Sequence, residues 1–141
     1  MVDPRGQRVA AALTAAVLAI VLLTGSAWLL AVQAGVFAAG GLAGVAASPY
    51  ARLFARFLRP RLGPPAELED ARPPRFAQFV GLLFATAGLV GFLGGWSLLA
   101  YGAVGAALAA AFLNAAFGLC LGCEIYLVFR RAIPRLTEVT R

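Results

Sequence analysis

The chain has 141 residues, enough for one domain. Hydrophobic residues make up 62% and charged residues 13%, with a net charge of +6 and a mean hydropathy of +0.87. A soluble domain averages roughly 45–50% apolar and about 25% charged residues, so this chain lacks the polar material to cover a water-facing surface. That excludes a disordered segment, a disulfide-stapled secreted scaffold and an ordinary soluble enzyme.

Asp3, Arg5 and Arg8 stand at the start, and residues 9–51 carry no charge. A membrane-spanning helix needs about 20 apolar residues. This run is too long for one helix and suits two, predicted at 7–24 and 27–47, separated by Thr24-Gly25-Ser26. Two arginines, an apolar stretch and small residues at 24–27 also outline a signal peptide. Apolar sequence runs on to residue 47, however, and cleavage would leave three spans with arginine clusters on opposite sides. An uncleaved first helix is expected.

The central segment 48–74 is polar. Helical spacing over residues 50–59 puts Tyr50, Leu53, Phe54 and Phe57 on one face and Arg52, Arg56 and Arg59 on another. Pro49 can open this helix and Pro60 stop it. A short basic amphipathic helix of this kind lies in the headgroup plane, here of an anionic inner leaflet. Nucleic acid is the rival partner for a basic, aromatic patch. Membrane topology already requires the positive charge and no nucleic-acid-binding fold is present, so that reading is set aside. Beyond it, Pro60, Pro64, Pro65, Pro73 and Pro74 oppose a regular helix through 60–75. Glu67, Glu69 and Asp70 form the acidic cluster, read as a solvated connector or a docking strip for a cytosolic partner.

Residues 76–123 are again uncharged, with Gly91-Phe92-Leu93-Gly94-Gly95 near their middle. The predicted helices are 75–94 and 97–129, the last longer than a bilayer needs. The halves are faintly alike: Gly25-Ser26-Ala27-Trp28-Leu29-Leu30 answers Gly94-Gly95-Trp96-Ser97-Leu98-Leu99, as in a parallel repeat. Trp28 and Trp96 each follow an outer turn, as interfacial belt residues or as packing residues. The expected fold is therefore all-α: one integral membrane domain over 1–141, a four-transmembrane-helix bundle of two helical hairpins, plus the amphipathic interfacial helix. All twelve basic residues are Arg and lie at the termini and within residues 52–75. The positive-inside rule then puts both termini in the cytoplasm. Gln33 and Asn114 are expected to bond across helices, and Gly40, Gly41, Gly44, Gly91 and Gly95 suit a tight bundle or a homo-oligomer.

Chemistry is confined to one stretch. There is no His and no Lys, which removes imidazole catalysis, haem ligation and Schiff bases. The two cysteines are Cys120 and Cys123, followed by Glu124, the one acid near an apolar run. Three readings compete. On a helix, residues i and i+3 face the same way at a separation that a disulfide accepts, which suits thiol-redox or sulfur-relay chemistry. A structural zinc site needs four ligands, which two cysteines supply only in a dimer, so no metal is expected. Alternatively the cysteines only pack, with Gly118 and Gly122 as a small-residue helix contact.

Position weighs against the redox reading. Reactive CxxC pairs usually begin a helix, where the dipole favours thiolate; this pair falls late in the predicted span, and Glu124 adds negative charge. Two escapes exist. Gly118 or Gly122 breaks the helix and makes a new N-terminus, or an arginine from the central segment lies against the site. Glu124 itself needs a cation, and Arg52, Arg56, Arg72 and Arg75 are the candidates.

Ser48-Pro49-Tyr50, Glu67-Leu68-Glu69-Asp70, Pro73-Pro74-Arg75-Phe76 and the run from Asn114 to Glu124 together give the chain a family likeness. It resembles an uncharacterised family, a domain of unknown function, of small bacterial four-helix integral membrane proteins with a Cys-Leu-Gly-Cys-Glu motif. The resemblance covers essentially the whole chain. It implies a bacterial inner-membrane location and a link to thioredoxin-like or rhodanese-type proteins, hence to thiol redox or sulfur trafficking. It assigns no activity and no cofactor. The leading expectation is a membrane thiol-redox or sulfur-relay protein with Cys120, Cys123 and Glu124 as the reacting groups. The alternatives are a small sulfur-compound transporter subunit, with polar residues converging around Gln33 and Asn114, or a structural membrane adaptor.

Overall fold

A computed structural model describes residues 4–63 and 72–139. Its helices are α1 (Pro4–Thr24), α2 (Ala27–Leu42), α3 (Pro49–Leu53), α4 (Arg59–Leu62), α5 (Arg72–Gly94), α6 (Ser97–Phe117) and α7 (Leu121–Val139). No strand occurs among the described residues. Three helical stretches, Arg5–Thr24, Arg72–Gly94 and Ser97–Phe117, are long and apolar enough to cross a membrane. The fourth apolar helix, α2, has 16 residues, about 24 Å at 1.5 Å per residue.

The apolar helices form two hairpins. Gly25 and Gly95 make the turns at φ 66° and 76°, backbone that a side chain would strain. Ser26 caps α2, its Oγ accepting from the Leu29 N–H at 3.2 Å. The hairpins pack crosswise, α1 on α6 and α2 on α5, and α5 also packs on α6. Leu18, Val21, Leu30, Phe37, Ala85 and Val104 form the buried core between them. Glycine sets the helix separations. A Cβ on Gly91 would meet Ala100 Cα at 2.7 Å, and one on Gly41 would meet Phe79 Cα at 3.1 Å. Trp28 is 85% exposed and Trp96 62%, so neither tryptophan packs inside the bundle.

One polar cluster lies within the bundle. Gln33, fully buried, accepts from the Tyr50 hydroxyl at 2.7 Å and donates to Thr14 Oγ1 at 3.5 Å, joining α2, α3 and α1. Burial pushes the Tyr50 pKa up from its ordinary value, so the phenol stays a donor at neutral pH.

The amphipathic segment differs from the predicted helix over 50–59. It runs from Pro49 to Leu62, because a widened turn at Phe54–Leu58 precedes Pro60. There the Arg59 N–H bonds the Phe54 carbonyl, five residues back, and Pro60 sits in the first turn of α4, where no N–H is required. The aromatic face is also divided. Phe54 is buried beside Gly6 and Tyr50 half-buried, whereas Leu53 and Phe57 are exposed, as are Arg52, Arg56 and Arg59. Pro73 and Pro74 begin α5 rather than blocking it. Pro64, Pro65, Glu67, Glu69 and Asp70 lie outside the described residues.

The largest departure concerns the predicted span 97–129, which is two helices. Gly118 ends α6 in the left-handed conformation (φ 70°, ψ 14°). Its N–H bonds the Asn114 carbonyl at 2.9 Å, and the Leu119 N–H bonds the Leu113 carbonyl at 3.3 Å. A left-handed glycine is a common helix stop. After it α7 turns onto the start of α5: a Cβ on Gly122 would meet Ala77 Cβ at 2.7 Å, and the Phe76 and Tyr126 rings lie 5.5 Å apart. Gly118 and Gly122 thus do separate jobs, and the expected small-residue helix pair does not form.

Overpacking a tight glycine contact costs about 1–3 kcal/mol. Gly91→Val is expected to lower the thermal unfolding midpoint in detergent, followed by circular dichroism. Gly105→Ala, where a Cβ meets nothing within 4 Å, is expected to leave it unchanged or slightly raised.

Candidate functional site

The break at Gly118 moves the cysteines from the tail of one helix to the head of another. Cys120 is the last residue before α7, and Cys123 lies in its first turn. A disulfide joins them, with Cα atoms 5.1 Å apart. The Cys123 N–H donates to Cys120 Sγ at 3.1 Å, so this sulfur fills the role of a capping side chain. Glu124 follows, its N–H bonding the Cys120 carbonyl at 3.0 Å. Of the two escapes open to a reactive thiol, the helix break is the one found. The start of a 19-residue helix carries positive potential, which favours thiolate over thiol.

An arginine also stands at the site, from a segment the sequence reading did not consider. Arg8 Nη2 donates to the carbonyls of Ala115 and Ala116, at 3.2 and 3.3 Å, in the last turn of α6. Arg8, Gln7, Pro74, Asn114, Cys120 and Cys123 surround a recess of about 80 Å³. The arrangement is repeated at the other hairpin. Arg75 Nε donates to the Gly41 carbonyl at 2.9 Å and its Nη2 to the Leu42 carbonyl at 2.8 Å, in the last turn of α2. Each hairpin thus lends an arginine from the start of its first helix to the carbonyl end of the other hairpin's second helix. Arg5 reaches the carbonyls of Leu62 and Gly63 at the same end.

The expected partner of Glu124 is not there. Glu124 is exposed and pairs with no arginine among the described residues. Arg75 is engaged at α2, Arg52 is exposed, and Arg56 lies 5.6 Å from the Phe57 ring centroid. The physical reason is location. Glu124 begins an amphipathic helix outside the long apolar spans, where the helix dipole favours an acid. Arg59 lies 5.6 Å from the Phe54 ring centroid.

A larger cavity, about 310 Å³, adjoins the site between α1, α5, α6 and α7. Its walls are mostly apolar, with Gln7, Thr14, Gln78 and Asn114 as polar members and Cys120 at one end. Cys120 therefore lines both spaces, whereas Cys123 lines only the recess beside Arg8. Gln33 is not in either wall and stays in its own cluster, so it does not converge with Asn114. Among the described residues no three His, Cys, Asp or Glu side chains group as a metal site would require.

Comparison with known proteins places the chain. The profile of a domain of unknown function, DUF4395, matches residues 2–131. The chain belongs to this family. No curated protein and no solved structure matches it.

Arginine bonds to carbonyls are charge-assisted, and each such cap is expected to contribute about 1 kcal/mol at this exposed end. Arg8→Gln and Arg75→Gln should lower the unfolding midpoint by similar amounts. Thiol alkylation of the reduced protein at neutral pH should slow several-fold in Arg8→Gln alone, with partial recovery in Arg8→Lys. Equal slowing in both variants would show that Arg8 has no electrostatic role at the cysteines.

Proposed function

We propose that this protein is a four-span membrane thiol-redox or sulfur-relay protein, with both termini and its CxxC pair on the cytoplasmic side. The observation that carries the reading is the Cys120–Cys123 pair beginning α7, the setting in which CxxC thiols are acidic and exchange readily. Membrane location is supported by the three long apolar helices, with α2 completing the second pass. Orientation is supported by the arginines gathered at one end of both hairpins. Leu53, Phe57 and the exposed arginines of 52–59, together with the apolar and basic residues of α7, suit an anionic inner leaflet.

In the relay, a cytosolic dithiol protein of thioredoxin-like type, or a persulfide-bearing rhodanese-type protein, approaches the recess beside Arg8. For a dithiol partner, one thiolate attacks Cys123 Sγ and breaks the disulfide. Cys120 leaves as the thiolate, held by the Cys123 N–H and the helix terminus. The partner's second thiol then attacks its own mixed-disulfide sulfur and releases Cys123. The partner gains a disulfide, the Cys pair gains two electrons and its protons, and Glu124 relays the proton taken up at Cys123. The transporter alternative needs polar residues meeting inside the bundle, and Gln33 is already engaged by Thr14 and Tyr50.

Inverted membrane vesicles test the assignment with a membrane-impermeant maleimide. Labelling is expected only after reduction, on the cytoplasm-facing side, and in both Cys120→Ser and Cys123→Ser without prior reduction. Thiols that react from neither side in any state would leave a packing role for the cysteines and refute the relay.

A further inference from the structure

Resting on the relay reading, the cavity behind Cys120 names the other reactant. A relay that accepts two electrons from a water-soluble dithiol must pass them on. The two sulfurs face different spaces: Cys123 lines the recess beside Arg8, and Cys120 also lines the larger apolar cavity. That cavity, about 310 Å³, falls at the lower end of small-molecule sites, roughly 300–1,000 Å³. Phe84 of α5, Ala106 of α6, and Leu121 and Ile125 of α7 both line it and are exposed, so its rim on these three helices is apolar and open to the outside of the bundle. An apolar rim of this kind admits a lipid-soluble ligand. Inside, the amides of Gln78 and Asn114 supply hydrogen-bond donors to an otherwise apolar chamber. The ligand must therefore be lipid-soluble, small enough for this chamber, able to accept hydrogen bonds and able to take two electrons.

We propose that the cavity is a quinone site, and that the reduced Cys120–Cys123 pair is reoxidised there by a membrane quinone. The Cys120 thiolate adds to a quinone ring carbon, which receives the electron pair. The Cys123 thiolate then attacks Cys120 Sγ, forming the disulfide and expelling the ring as the quinol. Two thiols and one quinone become one disulfide and one quinol, and the two thiol protons end on the quinol oxygens. Cys123 is the electron entrance from water and Cys120 the exit into the membrane.

The test uses the full chain reduced in lipid nanodiscs and then freed of reductant. Decylubiquinone is added, quinol formation is followed by absorbance, and thiols are counted in parallel. Exchange with a reduced thioredoxin-type dithiol in water is measured on the oxidised protein. One quinol per disulfide formed is expected. Ala110→Phe, which fills the chamber, is expected to slow quinol formation at least tenfold more than it slows aqueous exchange. Ala107→Phe fills the same space from the next turn and serves if the first variant loses helicity. Absence of quinol from the wild type, or filled variants that reduce quinone as fast as the wild type, would overturn the quinone site. Aqueous exchange that persists without quinol formation removes this inference alone and leaves the cavity to a lipid chain. Loss of exchange in the wild type removes the relay itself.

Discussion

Helix ends govern this structure. An α-helix leaves its last carbonyls without partners, and each must be met by a side chain or by water. Here the ends of α2 and α6 are met by arginines from the opposite hairpin, Arg75 and Arg8. Two hairpins that pack crosswise are thereby locked at one end. The same bonds explain why the arginines gather there, since each carries a guanidinium fork that meets two carbonyls at once. The pattern also gives substance to the faint sequence repeat. The hairpins share a glycine turn, a following tryptophan and a reciprocal arginine cap.

The two caps lead to different outcomes. After α2 the chain passes through Val45–Ala47 into the amphipathic segment, fixed by Tyr50 on Gln33 and by Phe54 against Gly6. After α6 it stops at Gly118 and restarts at Leu121 as α7, so the cysteines stand where one helix's carbonyl end meets another's amide end. Arg8 neutralises the first of these and the second faces Cys120. The pair thus stands at the start of a helix, where the dipole favours a thiolate, and not late in a continuous one, where it would oppose it. The close approach of Gly122 to Ala77 holds α7 in that position.

Much of the fold was legible in the sequence. Long uncharged runs, their glycine-rich midpoints and the confinement of arginine fixed the helices and their ends to within a few residues for α1, α5 and the starts of α2 and α6. The reading failed where local signals conflicted. Gly118 and Gly122 lie within an unbroken apolar stretch, so hydropathy hid a stop that a glycine followed by a fresh amphipathic pattern could have revealed. Pro60 was read as a terminator because the widened turn ahead of it has no sequence signature. Cys120, Cys123 and Glu124 stand out in the sequence by their rarity, and Gln33, which stands out by its polarity in an apolar helix, lies in a separate cluster. Arg8 was missed because its role depends on which helix end lies beside it, a tertiary fact. Only a buried Glu124 would need an arginine partner, and the break at Gly118 leaves it exposed.

The account depends on the restart at Cys120 making its sulfur acidic. The direct measurement is the pH dependence of iodoacetamide alkylation of Cys120 in the Cys123→Ser protein, in nanodiscs. An ordinary thiol titrates near 8.5. A midpoint below that value is expected, because the helix terminus and Arg8 favour the thiolate. A midpoint at or above the ordinary value would contradict it and return the cysteines to a packing role.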